Sequence, residues 1–132
     1  MTTTTLAVIL LIGRIIFGFY WLNVAYSHFK NSAMLAGYAQ SKGVKSTKAA
    51  VIGSGILALL GGLSVLLGAW PRIGIALLVI FLIGVTYKIH AYWKVTDPQA
   101  KQMDKVQFNK NVAIIGALLI VFAASLPWAW SI

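Results

Sequence analysis

Residues 6–29 read LAVILLIGRIIFGFYWLNVAYSHF. The stretch is apolar almost throughout and long enough, as a helix, to cross a hydrocarbon core about 30 Å thick, which needs roughly 20 residues. It is too long for a signal-peptide core, lacks basic residues before it and is interrupted by Arg14, so it reads as a retained transmembrane helix. Three more stretches qualify by the same measure: about Ala49 to Ala69, Ile73 to Trp93 and Val112 to Trp130. Lipid offers no partner for backbone N–H and C=O groups, so spans must be helices or a closed barrel, and a barrel needs short alternating segments that are absent here. The expected fold is therefore all-α: a transmembrane four-helix bundle forming one membrane domain over residues 1–132.

The composition agrees. Of 132 residues, 60% are hydrophobic and 10% are charged, too few charges to cover a soluble globule of this size. The net charge of +9 would raise nucleic-acid binding in a soluble chain. Here the charges only punctuate apolar runs, and nucleic acid is set aside as a partner. Lys30, Lys42, Lys45 and Lys48 lie between the first two spans. Lys88, Lys94, Lys101, Lys105 and Lys110 lie at or between the last two, and the opposite side holds only Arg72 near a boundary. The positive-inside rule then places both lysine-rich loops in the cytoplasm and both termini outside it. That describes a multi-pass protein of the cell (inner) membrane whose basic face attracts anionic headgroups of the inner leaflet. Trp70, Trp128 and Trp130 are expected at the outer interface, Tyr92 and Trp93 at the inner one.

Both loops carry helix signals. Ser32 is a candidate cap for a short helix through Met34, Leu35 and Tyr38, with Gly43 placed to end it; Ser46 and Thr47 are candidate caps for the second span. Thr96-Asp97-Pro98-Gln99 has capping-box spacing, so a helix is expected to start there, lie along the interface and run into the fourth span.

Arg14 is the most informative residue. A guanidinium in hydrocarbon costs at least about 2.5 kcal/mol on insertion scales, so something must offset it. At 100° per residue Arg14, Gly18, Trp21, Ala25 and His28 form one stripe, which is expected to face the bundle interior. Arg14 could instead snorkel outward or bond to carbonyls of another helix. No intramembrane acid is available to it, because Asp97 and Asp104 sit in the loop region. The absence of buried carboxylates also argues against proton pumping.

His28 and His90 fall at similar depth at the inner ends of spans one and three. Tyr87, His90 and Lys94 share a face, and Gln107, Lys110 and Asn111 stand at the inner start of span four. Turned inward, Arg14, His28, Tyr87, His90, Lys110 and Asn111 make a mixture that suits a quinone headgroup or a small anion in an apolar pocket. Interfacial anchoring explains the same residue types. Two histidines on different helices are thin evidence for haem, and with no Cys and no carboxylate pair a zinc site lacks ligands. Ser54, Ala58 and Gly62 follow the small-xxx-small pattern of close helix packing.

The ordered set of motifs resembles the DoxX family of small four-helix bacterial and archaeal membrane proteins. The resemblance lies in Arg14 with Gly18, His28-Phe29-Lys30, Ser41-Lys42-Gly43-Val44, Gly68 with Arg72, His90-Ala91-Tyr92-Trp93, Asp97-Pro98-Gln99, Phe108-Asn109-Lys110-Asn111 and Gly116. It implies the four-helix fold. It also implies a role beside quinone-linked enzymes: some relatives are membrane subunits of sulfur oxidation that passes electrons from thiosulfate to quinone, and others are linked to oxidative-stress complexes. The expected function is thus a membrane subunit of a quinone-linked oxidoreductase system, binding a quinone or small anion near the cytoplasmic side and working with other membrane subunits. A non-catalytic accessory or assembly subunit is the alternative, and a permease for neutral solutes a third.

Overall fold

The structure is a computed structural model that describes residues 1–124 and 126–132. Five α-helices account for most of it: α1 (Thr3–Lys30), α2 (Ser32–Ser41), α3 (Thr47–Leu67), α4 (Pro71–Lys88) and α5 (Pro98–Ala123), with a single 3-10 turn at Tyr92–Lys94. No strand occurs among the described residues. Four helices are long and apolar enough to cross a membrane, with α4 taken together with the 3-10 turn as one candidate span. Polar side chains start α1 and α5. Thr2 Oγ1 accepts from the Thr5 N–H, and Asp97 accepts from Ala100 N–H with Pro98 in the first turn. The cap of α5 is thus Asp97 rather than Thr96. The expected interfacial helix and fourth span are one continuous helix.

α3 is the centre of the packing. α1 and α4 lie on its two sides, and α5 packs on α4. Glycine permits this at close range. A Cβ on Gly62 would fall 2.9 Å from Trp21 Cβ, and one on Gly18 would fall 2.7 Å from Leu66 Cβ. On the other side a Cβ on Gly61 would fall 2.5 Å from Leu78. Small residues bring the backbones together because apolar burial alone gives helices little reason to associate in lipid. The expected triplet is only part of this surface, since Gly55 and Gly61 also make close approaches and Ser54 is only half-buried.

α1 and α5 close no comparable contact with each other. The arrangement is an open row, α1–α3–α4–α5, with a cleft between its first and last members. Two boundaries differ from expectation. α4 stops at Lys88, leaving His90 in the turn after it. The fourth helix stops at Ala123, so 126–130 are not part of a span; position 125, inside the expected span, lies outside the described residues. Residues 126–132 instead fold back as a strap across the end of α3, where the Ile132 N–H donates to the Leu67 carbonyl. Trp128, expected at the outer interface, is buried in the core cluster, while Trp70 and Trp130 are exposed.

α2 begins after Asn31 and ends at Ser41, with Lys42 as its C-cap and Gly43, whose φ of +81° suits glycine, turning the chain away. Neither Ser32 nor Ser46 makes a side-chain cap bond. Ala39 is the buried residue of α2, and Met34 and Tyr38 stay exposed.

Candidate functional site

The buried residues of α1 are Arg14, Gly18, Trp21 and Ala25, the stripe set out by helical periodicity. Arg14 is 3% exposed. Its Nε donates to the Val65 carbonyl at 3.1 Å and its Nη2 to the Leu66 carbonyl at 3.0 Å. These are last-turn carbonyls of α3, which have no intrahelical partner, and the helix dipole places partial negative charge there. Arg14 Nη1 donates to Ala129 O at 2.7 Å and Trp130 O at 3.2 Å. One guanidinium therefore finishes α3 and fastens the strap to it. Gly68 gives it room: a Cβ there would lie 2.8 Å from Nη2. The ring of Trp128 lies 6.0 Å from the guanidinium carbon. Of the two fates sequence left open, bonding to another helix's carbonyls is the one adopted.

The cleft between α1 and α5 has a volume of about 370 Å³, within the ordinary range of ligand pockets. Leu10, Gly13, Arg14 and Phe17 form its α1 wall, Ile114, Leu118 and Val121 its α5 wall, and Trp128 part of its outer end. Arg14 is its one charged lining residue. A second apolar groove of about 310 Å³, between α3 and α4, has no charged residue in its lining.

The end that carries the lysine-rich loops, the inner one under the topology expected from sequence, is a separate place. Fourteen residues separate Arg14 from His28 on α1, about 21 Å of helix rise. His28 Nδ1 lies 2.9 Å from its own helix's Val24 carbonyl, and its ring sits edge-on to Phe81. His90 Nδ1 lies 3.1 Å from Asp104 Oδ1, and the other carboxylate oxygen accepts from Lys42 Nζ at 2.5 Å. Asp104, expected in a loop, is a buried α5 residue that ties the end of α2 to the turn after α4. Its hydrogen bond holds the Lys42 ammonium above the ordinary lysine value. This pairing contributes below that ordinary value and is lost as pH rises past the raised one.

Sequence reasoning missed Asp104 by treating it as loop. The spacing Asp104, Asn111, Leu118 is a heptad repeat that would have put it on α5's buried face. Asn111 is buried on that face, one turn deeper than the cleft residue Ile114. Tyr87 is exposed and packs edge-on to Phe108. Lys110 is exposed and donates to Gln107 Oε1. The six candidate residues thus divide: Arg14 lines the cleft, Asn111 lies below its floor, and His28, Tyr87, His90 and Lys110 belong to the inner end. Among the described residues, two buried polar atoms, Trp21 Nε1 and Thr86 Oγ1, have no hydrogen-bond partner. No cluster of metal-ligating side chains occurs among the described residues.

A row of four apolar helices with a buried arginine at the end of the third is the setting in which the family match is read. The family model DoxX matches residues 9–91. The chain belongs to the DoxX family. The matched residues take in most of α1 and all of α2 to α4, and with them Arg14, His28, Tyr87 and His90; Lys110 and Asn111, on α5, follow the match. This DoxX chain is a multi-pass membrane protein. No curated protein and no solved structure matches it.

Proposed function

We propose that this DoxX-family chain is the membrane subunit of a quinone-linked oxidoreductase system, seated in the cell's inner membrane with its lysine-rich loops in the cytoplasm and an anionic leaflet against them. The observation that carries the reading is the α1/α5 cleft. It is open along the row, apolar along its walls and of a size that takes part of an isoprenoid chain. The ligand location differs from the cytoplasmic one expected from sequence, because the cleft lies toward the Arg14 end, between Ile9 and Phe17 on α1 and Ile114 and Val121 on α5.

The chain's contribution in this reading is binding and orientation, not electron transfer. Arg14 is its only titratable lining residue and is engaged by four carbonyls, so the cleft walls offer no free acid or base. The electron carrier then belongs to other membrane subunits. That same observation favours the accessory-subunit reading as the alternative.

Gly13 allows a clean test. It lines the cleft, and a Cβ there meets nothing within 4 Å, so Gly13→Trp fills the space without disturbing helix packing. The chain purified in mild detergent should retain quinone, measured by solvent extraction and chromatography. Gly13→Trp should lower the retained amount by about tenfold, the order expected when a bulky side chain takes the place of buried apolar contact. Equal retention by both proteins would reject the cleft as the site. Co-purification with fixed larger subunits, unchanged by Gly13→Trp and with no quinone present, would favour the alternative.

A further inference from the structure

We infer that the cleft binds an amphiphile with its hydrogen-bond-accepting headgroup at Arg14, and that the strap, residues 126–132, is the gate this headgroup displaces. The inference rests on the cleft reading above but assigns the head's chemistry and the side on which it lies. Arg14 carries the one charge of the lining, and no acid lies near it: Asp97 and Asp104 are both at the opposite end of α5. Its partners are neutral carbonyls. They differ in kind. Val65 and Leu66 belong to a packed helix end and stay, whereas Ala129 and Trp130 belong to a short segment outside any helix.

A guanidinium bonds a carboxylate or phosphate more strongly than a neutral carbonyl, because both partners are then charged and the pairing can be bidentate. A carboxylate or phosphate reaching Nη1 would therefore displace the two strap carbonyls, and a quinone carbonyl would exchange with them on nearly equal terms. The shared chemistry is an oxygen acceptor on an apolar chain. Moving Ala129 and Trp130 also moves Trp128, which forms part of the cleft's outer end, so binding the head and opening the mouth are one event. The opposite placement has one donor to recommend it, the unpartnered Trp21 Nε1, one turn below Phe17. Trp21 is not a lining residue, and Arg14 is.

The chain has no cysteine, so Ser131→Cys is a single reporter on the strap. It is read as the rate of labelling by a membrane-impermeant maleimide added to intact cells making the full chain. The probes are decylubiquinone, decanoate, dodecyl phosphate and, as a headless control, decane. Labelling should be slow at rest and rise about tenfold with an acceptor-headed probe, the scale of losing one or two buried hydrogen bonds; decane should leave it slow. Gly13→Trp should abolish the response to the headed probes. Arg14→Met should label fast with or without probe. Trp21→Phe should change nothing.

No response to any headed probe, or a response lost in Trp21→Phe and kept in Arg14→Met, overturns the inference. Labelling only after permeabilisation overturns the outward placement of the strap. A response to decanoate or dodecyl phosphate but not to decylubiquinone upholds the gate and removes the quinone from the proposed function. Quinone retained by the purified chain with labelling unmoved removes the gate and leaves that function standing.

Discussion

Arg14 and Arg72 solve the same local problem with different stakes. Each donates to a carbonyl in the last turn of another helix: Arg14 to α3, and Arg72 through Nε to Phe122 of α5 at 3.4 Å. Arg14 is buried and makes two such bonds and two more to strap carbonyls, whereas Arg72 is exposed and makes one long one. Removing Arg14 leaves carbonyls without partners in a place water does not readily reach. Arg14→Met should therefore destabilise the chain by about 2–4 kcal/mol, counting the desolvation penalty of one or two stranded acceptors. Arg72→Ala should cost less than about 1 kcal/mol, since an exposed contact is replaced by water. Thermal unfolding in detergent micelles compares the two; equal losses would mean that burial is not what gives Arg14 its weight. Arg14 was legible as an inward-facing residue because its stripe repeats every three or four positions. Its partners were not. Nothing in local sequence says that residues 115 and 116 positions downstream fold back onto it.

At the scale of elements, glycine decides where helices touch. Gly18, Gly61 and Gly62 face neighbouring backbone or side-chain stems, while Gly84 and Gly116 meet nothing within 4 Å. Gly18→Val should cost about 1–3 kcal/mol, the usual range for forcing atoms into a filled contact, and Gly84→Val should be close to neutral. The check is the unfolding midpoint of each variant; a Gly84→Val loss as large as that of Gly18→Val would contradict the packing described. The four helices and their order were readable from hydropathy because a span is long and uniform. Two ends were not readable. Trp128 and Trp130 are apolar enough to extend the fourth span, but α5 ends at Ala123, and nearby Pro127 supplies no N–H to carry a helix further. His90 looks like the last turn of the third span by spacing, but the chain leaves the helix after Lys88 and Asp104 fixes the ring from α5. That pairing depends on α5 returning beside α4, which periodicity within one helix cannot reveal.

Over the whole molecule, the open row is what separates this bundle from a closed one. α3 spends its small residues on α1 and α4, α5 packs on α4 and the 3-10 turn after it, and the space left between α1 and α5 becomes the cleft. The strap closes its outer end, and the inner end is tied separately by Lys42, Asp104 and His90. The molecule therefore has two polar ends and an apolar side opening. Under the proposed function an amphiphile enters this space from the membrane without the bundle coming apart. The most direct measurement is photolabelling of the full chain in vesicles with a decylubiquinone analogue bearing a diazirine on its alkyl chain, with adducts located by mass spectrometry. Adducts concentrated on Leu10, Phe17, Ile114 and Leu118, and competed away by unlabelled decylubiquinone, are the expected result. Adducts spread over the exposed outer residues Ile16, Ile80 and Ile120, with no competition, would contradict it.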